Sequence, residues 1–375
     1  MQPILAETAL ELTILRTQGR ERAFLVTLVG NGPSRAGHLV SAPSWQAVHL
    51  LVDGFRQLFK AVPAGAGEDA LSTPSRSGRV QSLLLHSVGV ELFHLWLAPF
   101  WSAIEAGLRG RPPLVLTVVS DVPEILNLPW ELLHCPDGPL LGLDERVALR
   151  RRPVGGWSDG GSDAAGESLD PGCLRVLLLS SAPGGFQGEA ENSFARFLLP
   201  AAEEQPPIAF SVVQRATRAE WHRSLERVRP HLVYLTGPAL ISGERGFFGF
   251  EDEQGQADPR SADELAEALC ADGDLLLVVV AGRERGRPPP VAAVGALCQG
   301  LVGHGVARAL AWPGLLTDPL SGAFFQALLH TMRMGATIDQ AICRARCAVQ
   351  PDCERAGYPA WVLSALYARS HRIFP

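Results

Sequence analysis

The sequence almost lacks lysine. Lys60 is the only one, so the rest of the 33 basic residues are arginine. P-loop enzymes and Schiff-base enzymes each need a lysine amine at the reacting group. Both kinds of chemistry are therefore excluded, except at Lys60.

A surplus of positive charge is also missing. The 33 basic residues face 39 acidic ones, which gives a net charge of -6 and a pI near 5.9. Nucleic-acid binding depends on basic patches that neutralise phosphates, so no nucleic-acid partner is predicted. Charged residues make up only 19% and hydrophobic residues 47%, which predicts a large buried core and excludes global disorder.

The sequence shows neither long apolar runs nor a disulfide framework. Its longest apolar runs, such as 275–281, have the length of a strand and fall well short of the roughly 20 residues of a membrane span. The seven cysteines are odd in number, and no charged-then-apolar leader follows Met1. These features predict a reduced, cytoplasmic protein without membrane contact or disulfides.

The pattern along the chain predicts two parts joined by a linker. Residues 1–152 mix strands and helices, which predicts an α+β subdomain. Residues 153–172 are rich in Gly, Ser and Asp, as linkers are. Residues 173–375 alternate helices with strands, among them 174–180, 208–213 and 232–235, and a capping box at 217–220 opens one of the helices. This alternation predicts an α/β fold with a mainly parallel sheet flanked by helices.

One series of motifs points to a family. Residues 128–133 read LPWELL, followed by LLGL at 140–143 and VALR at 147–150. This series resembles the signature of CHAT domains, which are bacterial caspase-like domains related to separase in the clan of Cys-His proteases. The resemblance runs from about Gly89 to the C-terminus and implies a caspase-like fold. It also implies a catalytic His and Cys at the neighbouring ends of two adjacent parallel strands, so the residues at these positions are expected to lie close together.

The two catalytic positions depart from the family pattern. The histidine strand of such domains ends in GHG, but residues 234–239 here read YLTGPA, which puts Gly237 at the glycine and Pro238 at the histidine. The cysteine strand reads VVVAGR over 278–283, which puts Gly282 before Arg283 at the cysteine position. Proline cannot act as a base and arginine cannot act as a nucleophile, although acyl transfer by this route needs both. The sequence therefore predicts a pseudo-protease without catalytic residues.

The same edge offers a candidate binding surface. Arg283, Arg285 and Arg287 form a basic edge that suits a carboxylate, either of an acidic partner segment or of this chain's own Glu284 or Asp318. The glycines 237 and 282 border the same edge. No cofactor or metal is predicted. Cys343, Cys347, Cys353 and His371 lack a CxxC pair, so core packing is favoured over zinc.

The predicted function is that of an inactive CHAT protein that binds a protein partner as a regulator or scaffold. By resemblance, the partner is an active CHAT protease or a sensor protein in a bacterial defence or cell-death system. Two alternatives stay open. One is an active cysteine peptidase with a displaced dyad drawn from His231, Cys270, Cys298 and His304, and the other is a small-ligand sensor that uses the vestigial cleft.

Overall fold

The chain divides into two compact units in a computed structural model. Unit 1 comprises residues 1–154, 354–358 and 370–375, and unit 2 comprises residues 155–353 and 359–369. The structure describes residues 8–17, 23–30, 37–41, 44–47, 49–50, 52–53, 76–110, 113–135, 138, 140–155, 173–183, 208–271, 274–283, 291–312, 319–356 and 359–369. Most of the predicted linker, residues 156–172, lies outside these ranges.

The sheet of unit 1 combines antiparallel and parallel strands. Its strands are β1 (Thr8–Arg16), β2 (Phe24–Gly30), β3 (His38–Val40), β4 (Leu114–Ser120) and β5 (Val147–Pro153). They are arranged in the order β3-β2-β1-β4-β5, with the first three antiparallel and the last three parallel. Every residue of β4 is buried, as expected for a strand covered on both faces.

A long apolar helical run in unit 1 is broken into segments. It consists of α1 (Arg76–Leu92), a π-helical turn (Phe93–Leu97), a 3₁₀ turn (Ala98–Phe100) and α2 (Trp101–Leu108). The break falls at Pro99, where the sequence predicts a kink because proline lacks an N–H. The short α3 (Pro123–Leu126) follows β4.

The sequence predicts no membrane span, and this helical run is the segment against which that prediction is compared. Leu83–Leu108 is long and apolar enough to cross a membrane by length and composition, which a search for uninterrupted apolar runs does not detect. Leu92, Trp96 and Ile104 are nevertheless completely buried within the protein. The apolar window is 39% buried inside the protein, so part of the run packs into the core and the rest does not.

The LPWELL block is locked by a buried ion pair. The Trp130 indole donates to the Ile125 carbonyl at 2.8 Å. The Arg151 guanidinium donates to both oxygens of Glu131, at 2.7 and 2.6 Å, and to the carbonyls of Leu126 and Leu128. Both charged side chains are at most 1% exposed. The motif is thus a structural element, and the arginine that completes it is Arg151.

The sheet of unit 2 is mainly parallel, as predicted. Its strands are β6 (Leu174–Ser180), β7 (Ile208–Val213), β8 (Leu232–Ser242), β9 (Arg245–Glu251), β10 (Ala257–Ser261), β11 (Leu277–Arg283), β12 (Arg308–Ala311) and β13 (Ala365–Ala368). The parallel strands follow the order β7-β6-β8-β11-β12, and β13 adds antiparallel to β12. The far end of β8 forms an antiparallel hairpin with β9, to which β10 pairs.

Five helices in the described part of unit 2 accompany these strands. They are α4 (Arg218–Val228), α5 (Ala262–Cys270), α6 (Val291–Gly303), α7 (Pro319–Arg333) and α8 (Ile338–Ala356). The predicted capping box of α4 is present, because the Glu220 N–H donates to the Thr217 hydroxyl and the Thr217 N–H donates to the Glu220 carboxylate. Residues 277–281 of β11 are fully buried. Helices covering both faces of the sheet account for this continuous apolar strand.

Candidate functional site

The strand register places side by side the two positions that depart from the family's His and Cys pattern. In the parallel pair of β8 and β11, Gly282 lies opposite Gly237 and Arg283 lies opposite Pro238. Neighbouring strands are about 4.8 Å apart, so the expected adjacency of the two glycines is confirmed. β11 ends at Arg283, whereas β8 continues to Ser242. The sequence predicts the end of β8 at Leu235, which is too early.

Gly237 lies where a side chain would not fit. A Cβ atom there would lie 2.8 Å from Cζ of Phe248 and 3.1 Å from both Cβ and the carbonyl oxygen of Ser181. The close approach of Ser181, which follows β6, therefore requires glycine at this position of β8. The glycine lets the middle of β8 lie close to β9 and to the residue that follows β6.

The end of β6 lies at a switch in sheet topology. Numbered along the chain within unit 2, the parallel strands lie in the order 2-1-3-4-5, so the order reverses between β6 and β8. In open α/β sheets, ligands bind beyond the carboxyl ends of the strands at such a point. Ser181 stands there, and its N–H donates to the Thr236 carbonyl at 2.8 Å.

Two buried hydroxyls at the switch point are unsatisfied. Ser181 is 1% exposed and Thr236 is completely buried. Neither Oγ of Ser181 nor Oγ1 of Thr236 has a hydrogen-bond partner among the described residues. A buried hydroxyl without a partner is costly, so such groups often mark a place where a ligand or water binds.

A buried carboxylate holds the chain after β6. Glu251, which is 2% exposed, accepts a hydrogen bond from the Ala182 N–H at 2.9 Å and another from Nε of Arg215 at 3.0 Å. Arg215 is 74% exposed and has a left-handed backbone with φ of 55°. Glu251 thus links the segment after β6, the turn after β7 and the end of β9. Nothing in the local sequence around Glu251 predicts this link, because its partners are distant along the chain.

The fold and this geometry agree with one protein family. The CHAT domain family model matches residues 87–373, which is most of the chain. The protein belongs to the CHAT domain family. Membership implies a caspase-like fold, in line with the mainly parallel sheet of unit 2. A search of curated proteins found no match.

Of the predicted basic edge of this CHAT domain, the structure describes only the backbone of Arg283. The structure places the backbone of Arg283 beside that of Pro238. Arg285, Arg287 and Asp318 lie outside the described residues, so their part in a binding surface stays a prediction.

The candidates for a displaced dyad lie elsewhere in the CHAT domain. His231 immediately precedes the first residue of β8, whereas Pro238 lies in the middle of that strand. Nδ1 of His231 accepts a hydrogen bond from the Arg175 N–H at 3.1 Å. Burial, aided by the positive charge of Arg175, lowers the pKa of His231. Cys270 ends α5, ahead of the first residue of β11. His304 follows α6, and its N–H donates to the Gly300 carbonyl.

Burial also disfavours the thiolate form of several cysteines. It raises the pKa of Cys270 and of the completely buried Cys298, and it raises the pKa of Cys135 to about 12. A nucleophilic cysteine needs the opposite shift, toward the thiolate. All seven cysteines are free thiols. In the described part of the chain, no three His, Cys, Asp or Glu side chains come together as metal ligands.

Proposed function

We propose that this CHAT protein is catalytically inactive and acts as a partner-binding regulator or scaffold. The observation that carries the proposal is the register that pairs Pro238 with Arg283. By the motif resemblance, these positions correspond to the family's histidine and cysteine, and they are direct neighbours on adjacent strands. The alignment with the dyad is therefore geometrically consistent, while the chemistry of the dyad is absent.

The physical argument concerns the two groups that acyl transfer requires. A thiolate attacks the carbonyl and a neighbouring base takes up the proton. The pyrrolidine ring of Pro238 has no titratable atom, and a guanidinium stays protonated and has no lone pair to donate. The raised pKa values of Cys270 and Cys298 argue against a substitute nucleophile in the nearby helices.

The proposed partner is a protein that presents an acidic segment to the basic edge formed by Arg283, Arg285 and Arg287. Arginine suits this role because its planar guanidinium makes bidentate hydrogen bonds to carboxylates. Family resemblance suggests an active CHAT protease or a sensor protein in a bacterial defence or cell-death system.

The absence of peptidase activity is tested with fluorogenic peptide libraries and a thiol-reactive active-site probe. We expect neither cleavage nor a probe adduct at a single activated cysteine. Each of the seven cysteines is changed to alanine in turn as a control. Time-dependent cleavage that one of these changes abolishes would favour the displaced-dyad alternative instead.

Partner binding is tested with the double change Arg283→Ala and Arg285→Ala. Its matched control is Arg223→Ala with Arg227→Ala on α4, where both arginines are exposed. We expect the first pair, and not the second, to weaken capture of a co-expressed CHAT protease or sensor from the same genome. Equal capture by the two variants would place the partner surface elsewhere.

A small-ligand sensor is a second candidate function, favoured by the unsatisfied hydroxyls of Ser181 and Thr236. Such a ligand would accept or donate hydrogen bonds at the switch point of the sheet. A thermal-shift screen of metabolites would reveal it as a ligand whose stabilising effect is lost in Ser181→Ala. A ligand that stabilises this variant as well as the wild type binds somewhere else.

A further inference from the structure

Strand β7 is an edge strand of unit 2 that lacks the usual protection against pairing with another chain. It pairs with β6 and with no other described strand. An edge strand presents backbone N–H and C=O groups to any further strand, and proteins guard such edges with charges, proline or very short strands. β7 has six residues, and none of them is charged, proline or glycine. Its outer edge is therefore suited to receive a further strand.

The other edge strands in the described part of the chain are protected. β10 pairs only with β9, and it contains Asp258, Pro259 and Arg260. β3 pairs only with β2 and is three residues long. Charges, proline and short length each disfavour the addition of a strand. Among these three edges, β7 alone has none of these features.

The side chains of β7 are mostly apolar and partly exposed. Val212 is 51% exposed, and Ala209 is exposed as well. Phe210 and Val213 are half-buried. An exposed, uncharged apolar edge strand is a site at which chains associate, so this edge is expected to be covered in solution.

We propose that β7 pairs with β7 of a second copy of this chain, antiparallel and about a two-fold axis. An axis perpendicular to the sheet keeps each face continuous across the two copies, so one residue lies opposite itself. With the axis at Ser211, Phe210 of each copy lies opposite Val212 of the other, and Ala209 lies opposite Val213. Pairs of an aromatic and a β-branched residue are favourable across strands, and no like charges are opposed. The strand thus supplies its own complement.

The symmetry limits the assembly to two copies. Both copies use the same edge, so the contact closes and leaves no β7 edge for a third copy. Pairing of two six-residue strands buries a small area, and small interfaces are weak and transient. We therefore expect a reversible dimer in equilibrium with the monomer. The surface includes neither Pro238 nor Arg283, so its failure would leave the proposed function untouched.

The test is analytical ultracentrifugation of the full chain over a wide range of concentrations. We expect a reversible shift from monomer to dimer as the concentration rises. Val212→Lys removes the pair with Phe210 twice and places a charge on the edge, so it should weaken the dimer by about tenfold or more. The matched control is Val154→Lys, because Val154 lies outside β7 and is 49% exposed. Circular dichroism checks that both variants are folded.

A cross-linking variant tests the register. Residues directly opposite in an antiparallel pair have Cα atoms about 4.5–5.5 Å apart, which a disulfide can span. Ser211→Cys should therefore form a covalent dimer when oxidised with copper phenanthroline. Ser242→Cys, exposed at the end of β8, is the control for random collisions, and the wild type shows the background from the seven native thiols.

Three results would each overturn the proposal. The first is a chain that stays monomeric at every concentration. The second is a dimer that Val212→Lys weakens no more than Val154→Lys does. The third is a Ser211→Cys variant that cross-links no faster than Ser242→Cys.

Discussion

Loss of the buried pair between Glu131 and Arg151 should destabilise unit 1 strongly. Both side chains are at most 1% exposed, and Arg151 also donates to two backbone carbonyls. Removing one member of a buried ion pair costs about 3–5 kcal/mol, because the other charge is left uncompensated. Glu131→Gln keeps one acceptor oxygen for Arg151, so we expect a loss of about 3 kcal/mol in the free energy of unfolding.

Replacing Arg151 instead of Glu131 should lower the free energy of unfolding further. Arg151→Met removes the bidentate donor from the buried Glu131 carboxylate and the donor from the carbonyls of Leu126 and Leu128. We expect a loss of about 5 kcal/mol for this variant. The double variant Glu131→Gln with Arg151→Met leaves no unpaired charge, so its loss should be smaller than the sum of the two single losses.

The assay is urea unfolding of the full chain, followed by tryptophan fluorescence and far-ultraviolet circular dichroism. The control is Arg109→Gln, which breaks the exposed pair with Glu105 on α2, where the side chains are 74% and 43% exposed. That change should cost less than about 0.5 kcal/mol. A Glu131→Gln variant as stable as this control would refute the view that the LPWELL block is a structural lock.

Three further predictions concern unit 2. Gly237→Ala places a Cβ 2.8 Å from Phe248 and should lower the unfolding free energy by about 1–3 kcal/mol. The control is Gly303→Ala, which has open space around it and should have no such effect. Equal stabilities of the two variants would contradict the close packing at Gly237. Burial lowers the pKa of His231 below its unfolded value of about 6.5, so the stability present above that pH is lost as the pH falls. His231→Gln should therefore flatten the decline of the melting temperature with falling pH. A decline that runs parallel in the variant and the wild type would refute this. The thiol of Cys298, completely buried with a raised pKa, should react with a disulfide reagent only after urea is added, and rapid native labelling would count against its burial.

The sequence alone predicts the parallel strands well. The predicted ranges 174–180 and 208–213 match β6 and β7, because continuous apolar runs bounded by polar residues have few other interpretations. The predicted strand 232–235 is too short. Gly237 and Pro238 suggest a strand end in the sequence, but pairing with β9 carries β8 on to Ser242.

The candidate site could be predicted only in part. Motif order predicts Gly237 and Gly282 on neighbouring edges of adjacent parallel strands, because a signature fixes positions along strands. The structure adds the register that pairs Gly237 with Gly282 and Pro238 with Arg283. The hydroxyls of Ser181 and Thr236 carry no sequence pattern. Their burial arises from contacts between β6 and β8, and such contacts depend on the order of strands in the sheet rather than on neighbours along the chain.

The pairing of Pro238 with Arg283 has an evolutionary consequence under the proposed function. A dyad needs both members, so changing Pro238 to histidine or Arg283 to cysteine alone restores no activity. Selection for proteolysis therefore has nothing to act on until both changes coincide. Once both members of the dyad are lost, such a lineage is free to adapt the strand ends to another role, and each later substitution makes a return to proteolysis harder.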